Sequence, residues 1–167
     1  MKEMAWAGLT PHVSWHDAKN NVAASTGLMN AKKILVVEDN KVTQKLIVDT
    51  LRSAGYEVVA AHDGASAVKV AREENPDLIT LDVQLDGQSP GDSWDGFGVA
   101  TWLRRMSAGQ PPPTIIVVSA QEPAKIIEGA AAVGAYTFLP KPFAKQKLLD
   151  VVAEALRSRP KPSTGSH

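Results

Sequence analysis

The stretch ILVVEDN, residues 34–40, decides how the rest of the chain is read. Four aliphatic residues in succession, Ile34 to Val37, suit a strand covered on both faces, as in a parallel sheet lying under helices. The run ends in two adjacent carboxylates, Glu38 and Asp39. Like charges this close repel unless a cation lies between them. The question is what that cation is, and why the chain needs it at the end of a buried strand.

Working outward, the same alternation of strand and helix recurs until five pairs have been counted. ILVV leads to a helical segment, KVTQKLIVDTLRSAG, in which Val42, Leu46, Thr50 and Leu51 are expected on the inner side and Gly55 as the stop. YEVVAA is a second strand and DGASAVKVAREEN a second helix, with Asp63 as its cap. PDLITLDV is a third apolar strand that again ends in a carboxylate, and GFGVATWLRRM is the helix after it. PTIIVVSA and the segment from Pro123 to Gly134 form the fourth pair, AYTFLPKPF and AKQKLLDVVAEALRS the fifth. In the last helix Leu148, Leu149, Val152 and Leu156 share the apolar side. Strands alternating with helices imply a parallel sheet covered on both faces, with ligand chemistry at the carboxyl ends of the strands.

The 167 residues include no cysteine, are 44% hydrophobic and carry a formal net charge of zero. One domain of ordinary size is implied, without disulfides, thiolate chemistry or cysteine zinc sites. Charge balance speaks against general nucleic-acid binding, and no apolar run approaches the ~20 residues of a membrane helix. No secretory signal is evident, so a cytoplasmic protein is expected. Residues 1–30 read as a poorly ordered leader, 31–159 as the folded domain and 160–167 as a disordered, proline-rich basic tail. His12 and His16 could share a helix face as metal ligands, but no further ligand is near them in sequence and a solvated leader is the better reading. A second methionine, Met29, precedes the first strand.

At the carboxyl ends of the strands the sequence places Glu38 and Asp39, Asp82, Ser119 and Lys141. Oxygen donors without nitrogen or sulfur suit a hard divalent cation such as magnesium, which keeps several waters and takes further ligands from phosphate. A metal and a lysine together neutralise a phosphoryl group, and a carboxylate can attack phosphorus to form an acyl phosphate. Each residue alone has a plainer reading: the acidic pair can cap a helix, Ser119 is uninformative, and Lys141-Pro142 is a loop. All five at strand ends are harder to obtain by accident.

From about Lys32 to Arg159 the sequence resembles the receiver domain of two-component response regulators, of the single-domain kind used in chemotaxis. The landmarks are ILVVEDN, PDLITLD, DGFGVATWLRRM, IIVVSA and GAYTFLPKPF, in order. The resemblance implies a flavodoxin-like (βα)5 fold, α/β, with the parallel sheet ordered 2-1-3-4-5. It implies a phosphoacceptor at Asp82, magnesium held by Glu38, Asp39 and Asp82 with the backbone carbonyl of Gln84, a phosphoryl-binding hydroxyl at Ser119 and a phosphoryl-pairing Lys141. Phe138, rather than Tyr136, falls on the aromatic switch position, and the Lys141–Pro142 bond is expected to be cis. The donor would be a histidine kinase or histidine phosphotransfer protein, and the output a switched protein-binding surface near the fourth helix, fifth strand and fifth helix. No enzyme activity beyond the domain's own phosphorylation and dephosphorylation is implied, nor any nucleic-acid or membrane partner. A monomer or weak dimer is expected, without an output module, since nothing after Arg159 is long enough for one.

The sequence departs from the family between Asp82 and the third helix. VQLDGQSPGDSW precedes Asp95-Gly96, about six residues more than the family loop, and carries Trp94. Alternatives follow from the same residues. A phosphorylation-independent interaction module would keep the fold without the chemistry. An aspartate-nucleophile phosphatase would need a second aspartate where Gln84 stands, and a dinucleotide-binding fold would need glycines in place of Glu38-Asp39-Asn40.

Overall fold

The computed structural model describes residues 31–85, 96–106 and 111–158. The expectations for the leader, for the inserted segment with Trp94 and for the tail lie outside the described residues. In chain order the elements are β1 (Lys33–Val37), α1 (Lys41–Ser53), β2 (Glu57–Ala61), α2 (Gly64–Glu74), β3 (Leu78–Asp82), α3 (Gly96–Met106), β4 (Thr114–Ser119), α4 (Pro123–Ala132), β5 (Thr137–Pro140) and α5 (Lys145–Ser158). The strands form one parallel sheet ordered β2-β1-β3-β4-β5, which is the flavodoxin-like receiver fold expected.

Successive strand side chains point to opposite faces, so each apolar run feeds two cores. Leu35, Val37, Ile79, Leu81, Ile115 and Val117 pack with residues of α2, α3 and α4. Ile34, Val36, Leu78, Ile116 and Val118 pack with residues of α1 and α5, among them Ile47, Leu51, Leu148 and Val152. Every residue of β3 is buried, because it lies mid-sheet and is covered on both sides. Among the described residues no helix is long and apolar enough to cross a membrane.

The inner face of α1 differs from the sequence expectation. Val42 is 80% exposed and Leu46 is 40% exposed, while Ile47, Val48, Thr50 and Leu51 are buried. Nine residues at about 100° each put Leu51 half a turn away from Val42, so the two cannot share a face. In α5 the buried side is Leu148, Val151, Val152 and Ala155, with Leu149 and Leu156 partly covered at its edges.

Local signals set the helix ends. The side chain of Asn40 accepts from the backbone N–H groups of Val42 and Thr43 and caps α1, and Gly55 follows that helix with φ +89°. Asp63 caps α2 reciprocally with Ser66: the carboxylate accepts from Ser66 N–H at 2.7 Å, and Asp63 N–H donates to the Ser66 hydroxyl. Arg104 of α3 donates to the carbonyl of Val133 just past α4, at 2.7 Å. The strand register brings the carboxyl ends level: Val37 lies beside Ala61 and Leu81, Asp82 beside Val118, and Ser119 beside Pro140.

Candidate functional site

Glu38 continues the line of β1, its N–H donating to the carbonyl of Ala61 at 3.1 Å. The Gln44 amide nitrogen, one turn into α1, donates to both the Glu38 and Ala61 carbonyls at 2.9 Å. The Asn40 cap and this pair of hydrogen bonds fix the loop that carries the acidic pair. Asp82 ends β3; its Oδ1 accepts from Gln84 N–H at 2.8 Å, a local turn that fixes the carboxylate plane. Lys141 extends β5 by one more rung, its N–H donating to the Ser119 carbonyl at 2.8 Å, and its peptide bond to Pro142 is cis as expected.

Those backbone placements converge. Lys141 Nζ lies 2.6 Å from Glu38 Oε2 and 2.5 Å from Asp82 Oδ2, and all three side chains are largely withdrawn from water. Carboxylate oxygens of Glu38, Asp39 and Asp82 lie within 4.8 Å of one another. The lysine ammonium therefore supplies the positive charge between Glu38 and Asp82. Burial pushes the Glu38 carboxyl above its ordinary value, with Lys141 opposing and Asp82 adding to the rise. For Lys141 burial favours the neutral amine, but the hydrogen bonds and charges of Asp82 and Glu38 outweigh it, and its pKa is raised. It stays charged throughout the neutral range.

One cation does not satisfy the cluster. Glu38 Oε1 is buried with no hydrogen-bond partner. A buried carboxylate oxygen left without a donor is costly, and two further carboxylates beside it make the set suitable for a divalent cation with oxygen ligands. The acidic group could thus hold a metal ion.

The remaining expected residues fall around this centre. Ser119 is fully buried, and its hydroxyl oxygen accepts from Gln121 N–H at 3.2 Å. Gln84 is exposed, in the turn after Asp82. Phe138 is partly buried against the core that contains α3 and α4, whereas Tyr136 is exposed, its hydroxyl 3.2 Å from that of Ser158. Sequence reasoning passed over Gln44, whose only signal is a long amide at the start of a helix, and took Gly96 only as the start of the third helix. A Cβ at Gly96 would collide with the carbonyl oxygen of Asp82 and lie 2.6 Å from Val83 Cα, so α3 starts against the backbone of the acid itself.

Comparison with known proteins identifies the family. The family model described as "Response regulator receiver domain" matches residues 34–153. The probable transcriptional regulator ycf27 of Cyanophora paradoxa is 33% identical over 135 residues, covering 81% of this chain and 52% of its own length. The chain thus spans about half the length of that curated relative. Among solved structures, the chemotaxis protein CheY4 of Vibrio cholerae is 29% identical with a TM-score of 0.65, over 75% of this chain and 98% of its own. A putative response regulator from Chloroflexus aurantiacus is 28% identical with a TM-score of 0.67, over 76% and 98%.

Proposed function

The chain belongs to the response regulator receiver family, a signalling family of two-component systems, and from that premise we propose that it is a phosphoryl acceptor whose nucleophile is Asp82. The observation that carries the proposal is the convergence of Lys141, Glu38, Asp39 and Asp82 at one end of the sheet. The donor is the phosphohistidine of a kinase or phosphotransfer protein. A carboxylate oxygen of Asp82 attacks phosphorus, the phosphorus–nitrogen bond breaks with its electrons passing to the imidazole, and an acyl phosphate remains on the aspartate. Glu38, Asp39 and Asp82 would hold magnesium, with the Gln84 carbonyl as a further ligand. When bound, that ion supplies charge neutralisation for the transferring phosphoryl oxygens. Lys141 provides a second, permanent positive charge on the phosphoryl group, and Ser119 a hydroxyl that donates to one of its oxygens.

The acyl phosphate adds negative charge beside Ser119, and the switch follows from displacement of that hydroxyl as it donates to a phosphoryl oxygen. Drawing it to the phosphoryl group breaks its bond with Gln121 N–H, ahead of α4, and lets Phe138 settle further inward. The surface formed by α4, β5 and α5 is reshaped for a downstream protein. The protein acts in the cytoplasm as a signalling domain, and its chemistry is confined to its own phosphorylation and dephosphorylation.

The test is mass spectrometry after exposure to acetyl phosphate, with magnesium and with chelator. One phosphoryl adduct, on the peptide containing Asp82, magnesium-dependent and missing in Asp82→Asn, is expected. Equal labelling of Asp82→Asn in the same pocket refutes the assignment.

A further inference from the structure

Gly96 and Phe97 begin α3, and each meets a surface that has no room for one more carbon atom. Gly96 lies against the backbone of Asp82 and Val83, and its N–H donates to the Val83 carbonyl at 3.3 Å. The far end of the neighbouring Phe97 ring abuts Gly129 of α4: a Cβ at Gly129 would come within 2.6–3.0 Å of its Cζ, Cε1 and Cε2. Glycine inside a helix costs about 1 kcal/mol relative to alanine, so α4 carries a local weakness at the point where the ring sits. Van der Waals contact thus runs without a gap from the backbone of Asp82 through Gly96 and Phe97 to α4. It bypasses Ser119 and Phe138, and it starts at the acid itself.

Resting on the reading of Asp82 as phosphoacceptor, we infer that Phe97 is a positioning residue for phosphoryl transfer. The ring, seated on Gly129, presses Gly96 against the Asp82–Val83 peptide and so sets the direction from which the carboxylate approaches phosphorus. The Asp82 carboxylate is aligned from two sides: by Lys141 and Gln84 N–H at its oxygens, and by this stack at its backbone. A tight fit of ring to glycine is needed, because small displacements of a reacting group cost large factors in rate.

The test is a size exchange. Phe97→Leu opens a gap above Gly129, Gly129→Ala pushes the ring away, and Phe97→Leu with Gly129→Ala refills the gap with a methyl group. The rate constant for labelling at saturating acetyl phosphate and magnesium is measured for the folded fraction, beside magnesium affinity and the urea midpoint. Each single variant is expected to label about tenfold more slowly with unchanged magnesium affinity, and the double variant to recover to about twofold of wild type. Loss of urea stability without loss of rate, or a double variant as slow as the product of the singles, overturns the role of Phe97. A wild type that accepts no phosphoryl group at Asp82 overturns the underlying reading as well, so the two failures are told apart.

Discussion

Lys141 Nζ and Glu38 Oε2 are 2.6 Å apart although 103 residues separate them in the chain. With its second contact, to Asp82 Oδ2, the lysine ties the edge strand β5 to β1 and β3 across the intervening β4. Removing one partner of a buried pair strands the other charge. Lys141→Met is therefore expected to destabilise the protein by about 3–5 kcal/mol in metal-free buffer, measured by urea denaturation. Millimolar magnesium should return part of that loss, because the same carboxylates are its proposed ligands. A midpoint equal to wild type would show that the pair contributes nothing.

Magnesium and pH should act together through Glu38. Its folded pKa is raised, so the folded state holds this proton more tightly than the unfolded chain. The group's contribution to stability is fully present below its ordinary value of 4.5 and is lost as pH rises through the raised folded value. At neutral pH metal binding to the folded state opposes that loss, by mass action. Thermal melting between pH 4 and pH 8 should show a magnesium-induced rise in Tm that grows with pH. The rise should shrink in Glu38→Gln and in Asp39→Ala, and an undiminished rise in both variants would remove them from the site.

The α2 cap gives the opposite sign. Asp63 is held below its ordinary value, chiefly by Ser66 N–H, so its stabilisation is present above 3.8 and fades as pH falls through the lowered folded value. Asp63→Ala should cost about 1 kcal/mol at neutral pH. The denaturation curves of the variant and wild type should converge in acid.

Thr80 is buried in β3 with its hydroxyl unpaired. Replacing an unsatisfied buried hydroxyl by a methyl group removes a desolvation cost, and Thr80→Val should stabilise by about 1 kcal/mol. A lower urea midpoint for the variant would mean that the hydroxyl has a partner.

Ser119→Ala leaves the nucleophile, the lysine and the acidic cluster intact. It should still accept phosphate but lose the hydrogen-exchange change expected across residues 119–145 on phosphorylation. An exchange response identical to wild type would take Ser119 out of the switch.

The alternation of strands and helices was legible because burial on both faces leaves an uninterrupted aliphatic run, as in Ile34–Val37 and Ile115–Val118. The clustering of the candidate site was legible for a related reason: a charge that ends such a run, as Asp82 does, must have partners. Less was visible on α1. Val42 and Leu46 look like core residues by composition, yet the inward positions fall on Ile47, Leu51 and the polar Gln44. A glutamine can point inward there only because two strand-end carbonyls await its donors, and that depends on contacts remote in sequence. Phe97 on Gly129 was invisible for the same reason: a ring and a glycine on separate helices carry no mutual signal.

The Gln44 amide also makes the two sides of the pocket mechanically unlike. On the side of β1, β2 and α1 the walls are bolted together, since a single side chain grips two strands and Asn40 closes the helix above it. On the side of β4 and α4 the Ser119 hydroxyl holds one backbone N–H, and Glu122 makes no side-chain cap bond at the start of α4. The pocket is built like a vice with one fixed jaw: phosphoryl charge introduced between them should move the α4 side. Substitutions around Gln44 should then alter how well the vice is anchored, and those around Gln121 and Glu122 how far it travels.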